Sequence, residues 1–370
     1  MRDVYVAGAA TTAFGRHGVG TGVKLATGAA TDALAAAGLT FDQVELLLGG
    51  TAHPLSPRPV YVGRELGLTG VPIQHVSNAS ATGLCLVHEA FEAVRTGRAD
   101  VVLAVAYDAP ETDVPTAQII AGEGHLSPVV SFALTARERM ETHGTTPEHL
   151  AMVAAKNWNY ARSNPFAARR SPEPVTVDMI LKSRMVADPL TSKMVTPWCE
   201  GASAVVFSSR PSGATPAVRV ASSALTTARY APDQLLEGAI GGPPELSRAT
   251  AAAAIERADV TTDAIDVVQI HDGFAIEELI YYELLGFIAP GEAESLVEQG
   301  AFGPGSRGRF GLPEFSTDGG LIARGHPGAP TGLAQIVETV RRLTSGGDKV
   351  GMCHLLGAGG VCAAQVLVHG

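Results

Sequence analysis

The sequence predicts an α/β fold made of two similar halves, and three observations support this prediction. Hydrophobic residues make up 46% of the 370 residues, aromatic residues only 5%, and there are 42 glycines. Such small side chains let helices pack closely on a sheet. Strand and helix patterns alternate along the chain, and the alternation starts again after a Pro-, Gly- and Ser-containing link at 210–216. We therefore expect one half at residues 1–210 and a second at 217–370.

The first half alternates strands and helices up to a more polar insertion. Short apolar runs predict strands in DVYVAGAATTAF, VELLLGGTA, VPIQHV and DVVLAVAYD. Helical periodicity ending at a glycine predicts a helix in GVKLATGAATDALAAAGL, and a second helix is expected at 83–96. From about 126 to 195 the chain is richer in charge and proline, which indicates an inserted loop lobe. A further strand, GASAVVFSS, follows the lobe.

The second half repeats this alternation. A strand is predicted in AVRVASSAL, a helix in ELSRATAAAAIERADV, and a strand, polar corner and helix in IDVVQIHDGFAIEELIYYELLGF. A further helix is predicted in GLAQIVETVRRLTSG and a final pair of strands in VGMCHLLGAGGVCAAQVLVHG. Each half thus contains a strand, a polar corner and a helix in succession, which favours a duplicated fold.

Charge and cysteine usage narrow the partners and the compartment. The net charge is −10 and no cluster of Lys or Arg occurs, which argues against a nucleic-acid partner. The four cysteines lack CxxC spacing, so we expect neither a metal site nor disulfides, and a reducing, cytoplasmic location. No segment approaches the roughly 20 apolar residues of a membrane span. The first residues, MRDVYVAGAA, predict a strand and not a signal peptide.

Four corners carry residues suited to chemistry. They are Ser80 in NASATG, His271 in HDGF, His326 in GHPGAPTG, and the glycine-rich LLGAGG at 355–360. A serine before a helix, two imidazoles and a group of backbone N–H donors suit reactions that pass through an oxyanion. Each corner also has a structural interpretation, as a helix cap, hydrogen-bonding histidines and a turn. Cys85 falls inside the helix, where a thiol packs as a small hydrophobic group.

Five motifs resemble, in order and position, those of the thiolase superfamily: NASATG, PWCEGASAVVFSS, QIHDGFAIEELIYYELLGF, GGLIARGHPGAPTGLAQ and LLGAGG. The resemblance is closest to the sterol-carrier-protein and lipid-transfer types. It implies a five-layered αβαβα fold with an inserted loop domain, and usually a homodimer. It also implies Claisen condensation or thiolytic cleavage of an acyl-CoA or carrier-bound acyl thioester. Coenzyme A thioester is then the substrate, with no further cofactor.

Two departures from that family change the expected chemistry. The position of the family's nucleophilic cysteine falls on Ser80, and the position of its second, proton-transferring cysteine falls on Leu355. Cys353 lies two residues upstream, on the same face of the strand. A serine needs a positioned base, for which His326 is available, whereas a leucine carries no proton. Ordinary thiolysis is therefore not expected.

Three functions are compatible with these residues. The first, favoured by the loss of both cysteines, is retro-aldol cleavage of a β-hydroxyacyl-CoA. The lipid-transfer type, to which the chain is similar, cleaves such thioesters, often those of a steroid side chain, and commonly works with a small OB-fold and zinc-ribbon protein. The second is an acyltransferase that uses a Ser80–His326 dyad. The third is a non-catalytic subunit of a complex.

The candidate site residues fall into three groups. Those expected to act in catalysis are Ser80, His271 and His326. Those expected to line the oxyanion or substrate site are Gly325, Gly357 and Gly359. Those considered for proton transfer, with a core or interface position as the alternative, are Tyr281 and Tyr282.

Overall fold

The computed structural model describes residues 1–109, 127–212, 217–229, 243–345 and 347–370. The predicted start of the inserted lobe at 126 and the end of the link at 213–216 lie outside these ranges. The elements that precede the lobe are β1 (Tyr5–Thr11), α1 (Gly22–Ala37), β2 (Leu46–Gly50), α2 (Pro59–Leu66), β3 (Ile73–Val76), α3 (Thr82–Arg95) and β4 (Val101–Asp108). The predicted alternation of strands and helices is therefore present in this half.

The lobe contains three helices and a short β-ribbon in the described residues, and a long strand returns the chain to the sheet. These elements are α4 (Pro128–His143), α5 (Pro147–Ala161), α6 (Val177–Leu181), β5 (Met185–Ala187), β6 (Leu190–Thr191) and β7 (Gly201–Ser208). Arg139 of α4 binds both Glu283 and Glu294, at 2.5 and 2.8 Å, and all three side chains are at most 10% exposed. This buried ion cluster fixes the lobe onto the second half.

The second half contains the remaining elements. They are β8 (Val218–Thr227), α7 (Pro244–Ala258), β9 (Val267–Gln269), α8 (Ala275–Leu284), α9 (Ala293–Glu298), α10 (Ser306–Phe310), β10 (Glu314–Phe315), α11 (Pro330–Ser345), β11 (Val350–Gly357) and β12 (Val361–His369). A π-helical turn, Gly320–Arg324, precedes the GHPGAPTG corner. No helix in the described ranges combines the length and the apolarity that crossing a bilayer requires.

The two halves have the same sheet topology. The first half has the strand order β1-β7-β4-β2-β3 and the second has β8-β12-β11-β9-β10. In each half the first two pairings are antiparallel and the last two are parallel. Two residue pairs between β1 and β8, Tyr5 with Arg219 and Val6 with Val218, join the halves into one ten-stranded sheet. The duplication predicted from the sequence is confirmed.

Helices α3 and α11 form a layer between the two halves of the sheet. Each helix contacts strands of both halves, while α1 covers the outside of the first half and α7 the outside of the second. The two central helices cross at Gly83 and Gly332, where a Cβ on Gly83 would lie 2.8 Å from the Cα of Gly332. The layers therefore follow the predicted αβαβα order.

Each polar corner comes after a strand that is parallel to its neighbours. Strands β2, β3 and β4 are parallel to one another, as are β9, β10 and β11. The carboxyl ends of parallel strands lie at the same edge, where α/β proteins bind ligands. The NASATG, HDGF and GHPGAPTG corners follow β3, β9 and β10 respectively. The parallel strands of the two halves run in opposite directions, so the corners of the two halves meet through the packing of α3 on α11 at Gly83 and Gly332.

Candidate active site

A tight turn between β3 and α3 holds Ser80. The hydroxyl of Thr82 accepts the Asn78 N–H at 2.8 Å and donates to the Ala79 carbonyl at 2.7 Å, which closes the turn. Ala79 has φ of 47°, a left-handed conformation that is uncommon for a residue with a Cβ. The N-cap of α3 is Ala81 and no side chain caps the helix, so the helix-cap interpretation of Ser80 is wrong. The N-terminus of α3, which no side chain caps, lies beside Ser80 and favours negative charge at this point.

Ser80 is hydrogen-bonded to His326. The Ser80 Oγ lies 2.9 Å from His326 Nε2, and the other ring nitrogen, Nδ1, lies 2.7 Å from the hydroxyl of Thr331. Burial, the neighbouring His271 and the Arg324 cation together lower the pKa of His326 well below its usual value. His326 is therefore a neutral imidazole between two hydroxyl groups at neutral pH.

His271 lies beside His326 in the opposite electrostatic environment. The two ring centroids are 5.0 Å apart, edge to face. His271 Nδ1 is 2.8 Å from Oε1 of Glu277, which lies in the first turn of α8. Burial alone would lower the pKa of His271, but the Glu277 carboxylate and, more weakly, Asp272 raise it above its usual value. The pair thus consists of His271, whose pKa is raised, and His326, whose pKa is lowered.

A buried carboxylate ties the two histidine corners together. Oδ1 of Asp272 accepts the Leu321 N–H at 2.9 Å, and Oδ2 accepts from the Asn157 amide at 2.7 Å. Burial and the nearby Glu278 raise the pKa of Asp272 to about 7. A Cβ at Gly320 would overlap Asp272 Oδ2, so only glycine fits there. The segment that carries His326 is therefore anchored directly beside His271.

Asp108, at the end of β4, is a positioning residue that was not among the predicted site residues. Its carboxylate accepts the Ala329 N–H at 2.8 Å, the His53 N–H at 2.8 Å and the Ser56 hydroxyl at 2.9 Å. Burial raises the pKa of Asp108 to about 6, although these donors act in the opposite direction. The carboxylate joins the loop after β2 to the turn that follows His326. An aspartate that ends an apolar central strand was the available signal.

The three predicted glycines differ in their contacts with the site. A Cβ on Gly357 would lie 2.7 Å from the Asn78 carbonyl, so the end of β11 packs directly on the Ser80 corner. Gly325, immediately before His326, has φ of 108° and packs against Cys199. Gly359 is exposed in the turn between β11 and β12, where a Cβ would meet no atom within 4 Å. The structure brings Gly325 and Gly357 to the site and leaves Gly359 in a surface turn.

Tyr281 and Tyr282 are core residues in α8. The Tyr282 ring stacks on Phe302 at 3.6 Å and its hydroxyl donates to Glu278 at 2.8 Å. The Tyr281 ring lies 4.9 Å from that of His354. Burial raises the pKa of both phenols well above the usual value, so neither loses its proton near neutral pH. These contacts favour the core position, which was the alternative to proton transfer.

The cysteines near the site are buried thiols. Cys85 lies inside α3 and burial raises its pKa to about 11. Cys353 is fully buried in β11, and burial raises its pKa to about 12. Leu355, at the position of the family's second cysteine, is also fully buried and packs in the core with Leu84. In the described part of the chain, no group of three or more His, Cys, Asp or Glu side chains has the arrangement of a metal site.

The fold and site together define a two-halved αβαβα protein in which a serine of the first half and two histidines of the second lie close together. Two family models match the chain: "Thiolase C-terminal domain-like" over residues 245–368 and "Beta-ketoacyl synthase, N-terminal domain" over residues 5–147. The second match covers the predicted first strand, the Ser80 corner and β4, and the first covers both histidine corners.

Similar proteins span the whole chain. The benzoylsuccinyl-CoA thiolase subunit BbsB of Thauera aromatica is 30% identical, with 100% of this chain and 97% of that protein covered. An acetyl-CoA acetyltransferase of Methanothermobacter thermautotrophicus is 32% identical, with 98% of each covered. Sterol carrier protein 2 of Gallus gallus is 29% identical, over 100% of this chain and 72% of that protein. The chain therefore belongs to the thiolase superfamily.

The solved structures agree with this fold. The structure titled "Ltp2-ChsH2(DUF35) aldolase" is similar at a TM-score of 0.84 and 24% identity, and 99% of this chain and 98% of that one are covered. The resemblance to thiolases of the sterol-carrier-protein and lipid-transfer types, predicted from the motifs, is confirmed.

Proposed function

We propose that this protein cleaves the bond between Cα and Cβ of a β-hydroxyacyl-CoA by a retro-aldol reaction. The observation that carries this proposal is the pair of histidines, 5.0 Å apart, whose surroundings shift their pKa values in opposite directions. When their surroundings shift the pKa values of two neighbouring titratable groups in opposite directions, one group suits proton transfer and the other suits hydrogen-bond donation. A retro-aldol reaction needs one of each.

His271 is the proposed general base. Its Nδ1 is held by Glu277 at 2.8 Å, which leaves Nε2 as the nitrogen available to a substrate. The carboxylate stabilises the imidazolium that forms when His271 takes a proton. The base removes the proton of the β-hydroxyl group, a carbonyl forms at Cβ, and the Cα–Cβ bond breaks. The electron pair of that bond passes into the thioester, which becomes an enolate.

His326 and Ser80 are proposed to hold the thioester oxygen as negative charge develops on it. A neutral imidazole that donates a hydrogen bond stabilises an enolate without giving up its proton. The N-terminus of α3 adds a favourable field at the same point. The proton on His271 then passes to Cα of the enolate. The products are a ketone or aldehyde and a shortened acyl-CoA, and the enzyme regains its starting protonation state.

Two further observations support this reaction over thiolysis. Leu355 occupies the position of the proton-transferring cysteine and lies in the core, so no thiol is available there for Claisen chemistry. The thiols of Cys85 and Cys353 have raised pKa values and are buried. The names of the relatives refer to acyl-CoA chemistry, and one structural neighbour is titled an aldolase. These names support an acyl-CoA substrate for this chain.

An acyltransferase is the second candidate, and the Ser80 geometry favours it. The 2.9 Å contact between Ser80 and His326 and the strained turn at Ala79 resemble a nucleophile beside a base. In that reaction the thioester acylates Ser80 and releases free CoA. A later acceptor then takes the acyl group.

One experiment separates these candidates. The full-length protein is incubated with a tertiary β-hydroxyacyl-CoA, small products are measured by liquid chromatography with mass spectrometry, and the protein by intact mass. Retro-aldol cleavage yields a ketone and a shortened acyl-CoA, with no mass increase on the protein. A stable acyl adduct that disappears in Ser80→Ala, with release of free CoA, would replace the proposal by the acyltransferase.

The proposal extends to a protein partner. The name of the solved neighbour includes ChsH2(DUF35) beside Ltp2, which supports a partner protein for this chain, and the lipid-transfer resemblance implies a small OB-fold and zinc-ribbon protein in that role. A homodimer, as the family implies, is also proposed, and sedimentation of the purified protein measures it. If neither the protein alone nor the protein with a co-expressed partner turns over any acyl-CoA, the non-catalytic subunit becomes the better description.

A further inference from the structure

The hydroxyl of Thr331 has one hydrogen-bond partner in the described residues, and this decides where its proton goes. Thr331 is fully buried in the first turn of α11, and its Oγ1 lies 2.7 Å from His326 Nδ1. A hydroxyl has one proton to donate, and burying an unpaired donor costs about 1–3 kcal/mol. Thr331 therefore donates to Nδ1, because no other described acceptor lies within its reach.

The hydrogen bond between His326 and Ser80 is consistent with this assignment of the Thr331 proton. If Nδ1 accepts from Thr331, the proton of neutral His326 lies on Nε2, which then donates to Ser80 Oγ at 2.9 Å. The hydroxyl proton of Ser80 is left free, and Ser80 is partly exposed in the turn before α3. In the opposite arrangement the free proton would lie on Thr331, which has no access to solvent. The first arrangement is lower in energy.

We infer that Thr331 is a positioning residue that fixes His326 as the Nε2–H tautomer, so that His326 and Ser80 form a relay of hydrogen-bond donors facing the substrate. This inference rests on the proposed function for its catalytic meaning, since a donor relay stabilises a thioester enolate. The threonine hydroxyl is neutral, so it sets the tautomer without stabilising an imidazolium. A carboxylate at the same place would do the reverse, because it accepts the Nδ1 proton and favours the cation.

The tautomer is measured directly by ¹⁵N NMR on full-length protein labelled at histidine. The His326 signals are identified by their loss in His326→Asn. We expect a neutral ring with the proton on Nε2 in the unmodified protein, and the same in Thr331→Ser. In Thr331→Val the ring loses this preference, and Thr331→Asp places the proton on Nδ1. Thr339→Val, which removes a buried hydroxyl from the same helix beside Cys353, is the matched control and leaves the tautomer unchanged.

Turnover gives the second measurement. We expect Thr331→Val to lower kcat roughly 10- to 100-fold with little change in KM, because the relay acts on developing charge and not on the bound ground state. Thr331→Ser restores kcat. A proton on Nδ1 of His326 in the unmodified protein would overturn the inference, even if Thr331→Val failed to fold. An Nε2–H tautomer in a protein that cleaves no β-hydroxyacyl-CoA would leave the tautomer assignment standing and refute the proposed function instead.

Discussion

Replacing Gly83 with alanine tests whether the crossing of α3 and α11 sets the active-site geometry. Gly83 lies three residues after Ser80, and the atoms nearest to its absent Cβ belong to the backbone of the opposite helix and its preceding turn. A Cβ here would lie 2.6 Å from the carbonyl oxygen of Ala329 and 2.8 Å from Gly332. Ala329 in turn lies three residues after His326. The new methyl group would therefore push directly between the two segments that carry the dyad.

The size of the effect follows from these contacts. Backbone atoms do not move aside as the end of a flexible side chain does, so the 2.6 Å separation must grow by about 0.8 Å to reach the ordinary contact distance of 3.4 Å. Overpacking of this kind costs about 1–3 kcal/mol of folding free energy. If the shift reaches Ser80, its 2.9 Å contact with His326 lengthens to about 3.7 Å, beyond hydrogen-bond range. A displacement near 1 Å lowers turnover by up to roughly 100-fold.

The assay compares Gly83→Ala with Gly28→Ala, which lies in α1 with no atom within 4 Å of the position of its Cβ. The free energy of unfolding is measured by urea denaturation, and kcat with the β-hydroxyacyl-CoA substrate. We expect Gly28→Ala to keep full activity and to gain up to about 1 kcal/mol, since alanine favours a helix. Unchanged stability and unchanged kcat in Gly83→Ala would refute the steric argument. Lower stability with full kcat would refute only the link from the helix crossing to the dyad.

Two further predictions concern charged partners. Glu277→Gln removes the carboxylate that raises the pKa of His271. We therefore expect the acid limb of the pH–kcat/KM profile to move to lower pH and the maximal rate to fall. An acid limb that stays at the same pH would exclude His271 as the base. Arg139→Leu leaves Glu283 and Glu294 buried without their cation and should lower the free energy of unfolding by about 3–5 kcal/mol. In the control variant Arg64→Leu, which breaks an exposed ion pair, we expect a loss of less than about 1 kcal/mol. Equal losses of unfolding free energy in Arg139→Leu and Arg64→Leu would contradict the conclusion that the Arg139 cluster fixes the lobe onto the second half.

The alternation of strands and helices was predictable because it depends on local periodicity. The meeting of the three corners could not be predicted from it, because parallel pairing aligns strand ends only within each half and the parallel strands of the two halves run in opposite directions. The partners of the histidines were harder to foresee. Glu277 had a local signal, because a glutamate three residues after Phe274 matches the helix-start pattern in which it accepts the Phe274 N–H. That pattern did not indicate that its other oxygen binds His271.

The partners of Asp108 and the burial of the two tyrosines were beyond sequence reasoning for a different reason. The donors to Asp108 come from residues 52–56 and from Ala329, 221 positions away, so no local pattern relates them. Tyr281 and Tyr282 follow HDGF closely enough to look available for proton transfer. Their phenols lie in the core because α8 turns that face toward Phe302 and His354. Helical periodicity gives a spacing of side chains, and only the packing of neighbouring elements decides which face meets the substrate.

The partners of the two histidines explain how a thiolase fold that has no cysteine at either catalytic position would still perform acyl-CoA chemistry. A cysteine nucleophile needs less help, because a few per cent of a free thiol is ionised at neutral pH and the thiolate is strongly nucleophilic, whereas Ser80 needs a base that accepts its proton. The base best suited to accept one is His271, whose pKa is raised by its partner Glu277, and its ring contacts that of His326. His326 has the neutral Thr331 as partner and a lowered pKa, so accepting a proton from Ser80 is unfavourable. The serine at the nucleophile position is therefore better placed to donate a hydrogen bond than to attack a thioester, which is the division of roles that carbon–carbon cleavage requires.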